Sequence, residues 1–377
     1  MKKLKDFFLA LELEKGKPLS VPHGGNIREA VERFGAVLGR IIDFSSNVNP
    51  FPLPAAVQRA LRSALKRLNV YPDRESYGLK KILAERWGLP IHSIVVGNGS
   101  ADLLYRAVHA LRPKHGLIFQ PTFGEYAKAL SEIGAKIKVL QLDPARGFSL
   151  PKGKGFERVG KGGVVFLCNP NNPTGCLTPK KDLEGVVRRL REKGAFLIMD
   201  EAFIDLAEEE SLISQAAYEE NLLVLRSLTK FYGLAGLRLG YAVGHPVLIR
   251  RIQEIGQPWP VNVLAQAAGE VLVGNETFRR KTCERWLREK EDLYRHLCQI
   301  PGIQPFPSSA PFFLVRLTEK GSVESLQRRL WKDRLLIRDL SGFPGLEEGH
   351  FRVAVRNRRE NRLLVRSLKK ALAEEES

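Results

Sequence analysis

Short apolar runs, each closed by Gly, Pro or Asn and separated by longer amphipathic segments, set the rhythm of the chain through its middle. Six runs read as strands: 94–96, 116–119, 164–168, 196–199, 222–225 and 239–243. Most are apolar at consecutive positions, as strands covered by helices on both faces must be. Between them, 102–110, 126–133 and 183–192 carry helical periodicity. The pattern predicts an α/β fold with a mostly parallel sheet covered on both faces. After about residue 260 the rhythm changes to a long charged helical stretch, 270–297, followed by strand-like 312–317 and 351–355 and a terminal helix from about Glu360. That tail predicts a smaller α+β domain joined by the N-terminal segment, with boundaries at 1–45, 46–260 and 261–377. No internal repeat is evident.

A chain of 377 residues is long enough to give both domains a core. Lysine and arginine outnumber aspartate and glutamate by 60 to 42, a net charge of +18, which favours anionic ligands or a nucleic-acid surface. The basic residues are spread, as at 2–5, 279–281 and 356–359, without interleaved aromatics or a groove-reading motif, so no nucleic-acid partner is expected. Cys168, Cys176, Cys283 and Cys298 form no CxxC and no metal-type spacing with histidine. They read as buried thiols of a reducing compartment, and no metal is expected. No run approaches 18 apolar residues, and the charged start MKKLKDFFLALELEKGK does not lead into a signal-peptide core. The expectation is a cytoplasmic protein with no membrane partner.

In open α/β sheets ligands bind beyond the carboxyl ends of the strands. Four of the expected strands end there in polar residues: GNGS (97–100), NPNNPTG (169–175), DE (200–201) and SLTK (227–230). GNGSADLL has two glycines, and Ser100 could cap a helix whose free amides face an anion, although Asp102 stands where a dinucleotide fingerprint wants a third glycine. NPNNPTG is a rigid polar turn able to hold an Asn amide toward a ligand oxygen. Asp200 ends a wholly apolar strand, where a carboxylate must pair or neutralise, either in a structural ion pair or on a ligand. Lys230 is either a solvated charge at a strand mouth or an amine shielded enough to attack a carbonyl and form a Schiff base. GFERVGKGG (155–163) looks like a phosphate loop, but it precedes a strand and has Gly162 where Ser or Thr would hold magnesium, so it is set aside. Anion loop, positioned Asn, buried Asp, Lys and Arg together are the parts that hold pyridoxal 5'-phosphate.

The set GNGSAD, PTFGEY, NPNNPTG, DEAF and SLTKFYGLAGLRLGY resembles the fold type I pyridoxal-phosphate enzymes of the aspartate aminotransferase superfamily, in the histidinol-phosphate aminotransferase branch. Within it, HGGNIREA, DFSSNVNP, DEAFIDL and QPWPVNVLAQAAGE are similar to the L-threonine-O-3-phosphate decarboxylases of cobalamin synthesis, from about residue 21 to the C-terminus. The resemblance implies that Lys230 bonds the cofactor and shuttles protons, and that Asp200 pairs with the pyridine nitrogen. Asn172 would donate to the phenolate oxygen and Phe123 would stack on the ring. Ser100, Ser227, Arg238 and the amides of Gly99 to Ala101 would hold the phosphate. Tyr71 would reach the cofactor of a neighbouring subunit, which implies a homodimer. Arg352 would receive the substrate carboxylate, with Arg338, Asn47 and His23 completing the substrate end.

Two positions depart from the aminotransferase pattern. Phe203 stands where a tyrosine usually donates to the phenolate oxygen, so that oxygen should be more basic; decarboxylases of this branch also carry Phe here. Pro311 stands where an asparagine is common, ahead of Phe312 and Phe313. The implied reaction is loss of CO2 from a phosphorylated amino acid, with histidinol-phosphate or related transamination as the alternative. Substrate posture decides between them.

Overall fold

The computed structural model describes residues 24–35, 39–151, 155–319 and 321–373. Its first elements are α1 (Ile27–Phe34), the short β1 (Ile42–Asp43), α2 (Ala55–Leu65) and α3 (Tyr77–Trp87). Strands and helices then alternate: β2 (Ile94–Gly97), α4 (Ser100–Leu111), β3 (His115–Gln120), α5 (Glu125–Glu132), β4 (Lys136–Gln141), β5 (Val164–Cys168), α6 (Lys180–Glu192), β6 (Phe196–Asp200), the single turn α7 (Ile213–Ala216), β7 (Leu222–Ser227) and β8 (Gly240–Gly244). The seven strands from β2 to β8 form one sheet in the order β2-β8-β7-β6-β5-β3-β4. Only β8 runs against its neighbours β2 and β7.

Side-chain alternation builds the two layers. In β5, Val165 and Leu167 join one apolar cluster while Val164 and Phe166 join the cluster on the other face; Leu222 and Val224 of β7 likewise oppose Leu223 and Leu225. Each such residue, fully buried, contributes on the order of 1.5–3 kcal/mol. The expected strands are all present. The edge strand β4, KIKVLQ, was not expected: its lysines stand exposed, as edge strands require, and its sequence lacks the two-faced apolar signature.

Beyond β8 come α8 (Pro246–Ile255), α9 (Val263–Val273) and α10 (Glu276–Leu297), so the single helix expected over 270–297 is two. The break falls at Gly274, and the Asn275 side chain caps α10 by accepting from the Phe278 amide at 2.9 Å. A second, antiparallel sheet, ordered β12 (Arg338–Asp339), β13 (His350–Ala354), β10 (Phe312–Leu317) and β9 (Ile303–Pro305), is accompanied by α11 (Val323–Lys332) and α12 (Arg358–Ala373). Strand β1 pairs in parallel with β11 (Leu335–Leu336), which brings the segment before the large sheet against this region. Trp286 on α10 is fully buried and donates to the Val355 carbonyl at 3.0 Å, tying the long helix to the end of β13.

The cysteines correct an expectation: Cys168, Cys176 and Cys283 are half-buried and Cys298 is exposed. Among the described residues, no helix is long and apolar enough to cross a membrane and no group of three His, Cys, Asp or Glu could hold a metal.

Candidate active site

The strand ends flagged by their polar residues open on one cavity of about 430 Å³. Lys230 enters it from the loop after β7. Its carbonyl accepts from the amides of Asn49 (3.0 Å) and Gly233 (3.2 Å), and the Asn49 side chain donates to the Phe231 carbonyl at 2.7 Å, so the lysine loop is latched by the segment after β1. The Lys230 amine is driven down to about 8, by burial first and then by the Arg352 and Arg238 cations, with Asp200 opposing.

Asp200 ends β6 and is buried. It accepts from the Tyr126 hydroxyl at 2.7 Å and the Ala202 amide at 3.0 Å, neither of them a cation. Burial raises its pKa, partly offset by those two hydrogen bonds and by Lys230. The structural ion pair is therefore not what holds this carboxylate. Tyr126 was missed as a site residue: it lies in PTFGEY but read only as a helix start. It stacks on Phe166 and meets Phe123 edge-on. Cys168, beside Asp200 in the β5–β6 register, also lines the cavity.

At the opposite end, Ser100 begins α4 but does not cap it. Gly99 is the N-cap residue, and the Asp102 carboxylate accepts from the Asn98 amide at 2.9 Å while pairing with Arg106 at 2.7 Å. The residue that spoiled the dinucleotide fingerprint thus holds the loop, and Ser100 and Ala101 face the cavity. Gly99 has φ +86°, and a Cβ there would stand 2.8 Å from an Arg238 guanidinium nitrogen. Ser227 shares a 2.7 Å hydrogen bond with Thr229, another residue the sequence did not single out. Behind them Gly240 has no room for a side chain: a Cβ would meet the Ser100 nitrogen at 2.4 Å.

The remaining wall carries Arg352, Asn172, Asn47, Arg338, Phe123 and Phe203. Arg352 donates to the Ser45 carbonyl at 3.0 Å and to the Asn172 side-chain oxygen, while its Nε has no partner. Burial, then Arg338, pushes its pKa down to about 9. Burial lowers Arg338 too. Asn47 is buried with its side-chain oxygen unpartnered. Phe203 packs edge-on against Phe312 (5.0 Å between centroids), whose ring carries Arg352 at 5.1 Å. Pro311 sits just before, its carbonyl accepting from Val355 at 2.9 Å. Glu125, Leu340 and Phe343 complete the wall and were not foreseen. Tyr71 is 75% exposed, stacks on Trp259 at 4.4 Å and does not line this cavity. His23 lies outside the described residues.

Four basic side chains, Lys230, Arg238, Arg338 and Arg352, face the cavity against the carboxylates Asp200 and Glu125. An orphaned guanidinium nitrogen, amides and hydroxyls converging at Ser100 and Ser227, and a buried carboxylate with no cation hydrogen-bonded to it fit a ligand with anionic groups and one protonated ring nitrogen. Pyridoxal phosphate with a phosphorylated amino acid meets that description.

A family model described as aminotransferase class I and II matches residues 39–368. The threonine-phosphate decarboxylase of Salmonella typhimurium is 37% identical over 353 residues, covering 93% of this chain and 96% of that protein. A histidinol-phosphate aminotransferase of Ralstonia nicotianae is 31% identical, covering 96% of this chain and 95% of that one. The solved L-threonine-O-3-phosphate decarboxylase of Porphyromonas gingivalis has a TM-score of 0.79 at 26% identity, covering 88% of this chain and 99% of that one.

Proposed function

The chain belongs to the aminotransferase class I and II family, and from that membership we propose that it is a pyridoxal-phosphate-dependent decarboxylase that removes CO2 from L-threonine O-3-phosphate, giving 1-amino-2-propanol phosphate for cobalamin biosynthesis. The observation that carries the reading is Phe203, a residue without a hydroxyl, lining the same cavity as Asn172 and Arg352, beside a relative of the same named activity at 37% identity.

Bound pyridoxal phosphate supplies an electron sink for the pair released when a bond to the substrate's Cα breaks. The chain's residues do the rest. Lys230, its amine about half deprotonated at pH 8, would hold the cofactor and, once released from it, could supply a proton from Nζ toward Cα. Asp200, kept in place by Tyr126, holds a proton on the pyridine nitrogen. Ser100, Ala101, Ser227 and Arg238 bind the cofactor's phosphate with Gly99 giving way to the guanidinium, and Phe123 packs on the ring. Asn172, its oxygen on Arg352, presents its amide N–H to the phenolate oxygen. Arg352 would receive the substrate carboxylate through a two-pronged contact, and Arg338 and Asn47, with His23 from outside the described residues, would complete the substrate end. The protein acts as a cytoplasmic homodimer, the exposed Leu68, Val70, Tyr71, Tyr77 and Trp259 meeting a second copy. Sedimentation gives the mass directly, and a monomer would remove that role from Tyr71.

Transamination is the second reading, favoured by the Ralstonia relative. Incubation with threonine phosphate alone separates the two. CO2 release with no oxo-acid present supports decarboxylation, whereas glutamate formation from histidinol phosphate and 2-oxoglutarate, without CO2, supports the aminotransferase.

A further inference from the structure

Directly beside the two cavity residues Asp200 and Ser227, the chain carries a buried charge at the end of each strand: Glu201, with its side chain 0% exposed, and Arg226, at 4%. Successive residues of a strand project to opposite faces, so what grips Glu201 and Arg226 from behind sets where Asp200 and Ser227 stand in front. The Glu201 amide donates to the Leu225 carbonyl at 2.9 Å. Its carboxylate accepts from the Ser211 hydroxyl (2.5 Å), the Leu212 amide (2.8 Å) and the Arg226 guanidinium (3.4 Å). The other arm of Arg226 reaches Glu208 at 3.1 Å and Asp205 at 3.4 Å. Its flat face lies over Trp87 at 5.2 Å, and Trp87 in turn donates to the Tyr241 hydroxyl on β8 at 3.1 Å. Glu208 is held from outside by Arg86 at 3.0 Å and Arg279 at 3.1 Å. Neither Glu201 nor Arg226 lines the cavity.

A buried ion pair is weak evidence for stability, since apolar residues of similar volume often serve as well. What a planar guanidinium with three carboxylates does provide is direction and distance. We propose that Arg226 is a positioning residue for the cofactor: by holding Glu201 behind the sheet it sets the separation of the ring-nitrogen partner Asp200 from the phosphate ligand Ser227. This rests on the roles given above to Asp200 and Ser227.

The test uses the full chain stripped of cofactor. Urea midpoints, the amide exchange rate of Glu201 and the dissociation constant for added pyridoxal phosphate, read from its absorbance, are compared in wild type, Arg226→Lys, Arg226→Met and the Glu201→Gln/Arg226→Met double variant. Arg226→Met alone takes the cation from Glu201 and Asp205 and can fail to fold; the double variant discharges Glu201 and should regain part of the urea midpoint. It should nevertheless bind pyridoxal phosphate roughly ten- to a hundredfold more weakly. Its Glu201 amide should exchange faster even before cofactor is added, and Arg226→Lys should fall between. Wild-type affinity in the double variant would overturn the role of Arg226 and leave that of Asp200 and Ser227 standing. A wild-type protein that binds no pyridoxal phosphate would overturn the cofactor reading, and this inference with it.

Discussion

Replacing Lys230 with methionine should make the cofactor-free protein more stable at neutral pH. The amine titrates at about 8 in the fold against an ordinary value of 10.5, with burial the first cause and the Arg352 and Arg238 cations next. Each factor of ten in proton affinity is worth about 1.4 kcal/mol. The roughly two and a half decades between the two values therefore correspond to ~3 kcal/mol lost on folding with the amine charged. Below pH 8 both folded and unfolded chains carry the proton, so the whole penalty is present. Between 8 and 10.5 the unfolded chain binds more protons than the folded one, and stability climbs with pH until the penalty is gone. Methionine matches the length of the stem and carries no charge. At pH 7 it should move the urea midpoint up by about 1 M, taking a slope of about 3 kcal/mol per M, and by pH 10.5 the two proteins should nearly coincide. Tryptophan-fluorescence titrations at both pH values measure this. A variant less stable than wild type at pH 7, or a gap that does not narrow on raising the pH, would refute the claim that the site holds Lys230 against its preferred charge.

Other expectations follow from the same geometry. Gly240→Ala puts a Cβ 2.4 Å from the Ser100 nitrogen and 2.7 Å from the Gly99 carbonyl carbon; at about 1–3 kcal/mol for such overpacking, cofactor affinity should fall ten- to a hundredfold, measurable by absorbance titration. Arg352→Lys loses the two-pronged contact and should lower kcat/KM for threonine phosphate by about 2 kcal/mol, near thirtyfold, mainly through KM; unchanged KM would move the carboxylate elsewhere. Phe203→Tyr restores a hydroxyl beside the phenolate position, so the pH midpoint of the bound cofactor's colour change should drop. An unmoved midpoint would show that position 203 does not touch that oxygen.

Much of this site was readable because its constraints are local. The strands carrying Asp200 and Lys230 are apolar on both faces, and polar residues at their ends have few structural excuses for being there. β4 escaped because an edge strand with exposed lysines looks like a loop, and the break at Gly274 was passed over although Gly-Asn is itself a stop-and-cap signal. The mistaken cap at Ser100 had a different origin: Ser is the usual capping residue, but here Asp102 reaches back and holds the loop instead. Thr229 sat inside the flagged SLTK stretch and Tyr126 inside PTFGEY without their roles being visible. Leu340 and Phe343 could not be singled out from spacing, since they reach the site from a segment far along the chain.

Arg352 links the two questions that spacing left open, how the cofactor is tuned and which bond breaks. In this structure it spends one guanidinium nitrogen on the Asn172 oxygen and rests on Phe312, against which Phe203 packs. In the proposed reading, a substrate carboxylate arriving at Arg352 would share or displace that bond, so its position would be coupled to the Asn172 amide proposed to donate to the phenolate oxygen. With phenylalanine at 203, that amide would be the donor left at this oxygen in place of a tyrosine hydroxyl, and its orientation would depend on Arg352. Where the carboxylate sits and how basic the phenolate oxygen becomes are then set together. On this reading the same arginine that binds the carboxylate also sets which bond breaks, and Asn172→Ala, by releasing Arg352, should change KM for threonine phosphate as well as shift the cofactor's colour. If KM for threonine phosphate stays at the wild-type value while the colour shifts, the two are independent and the coupling is absent.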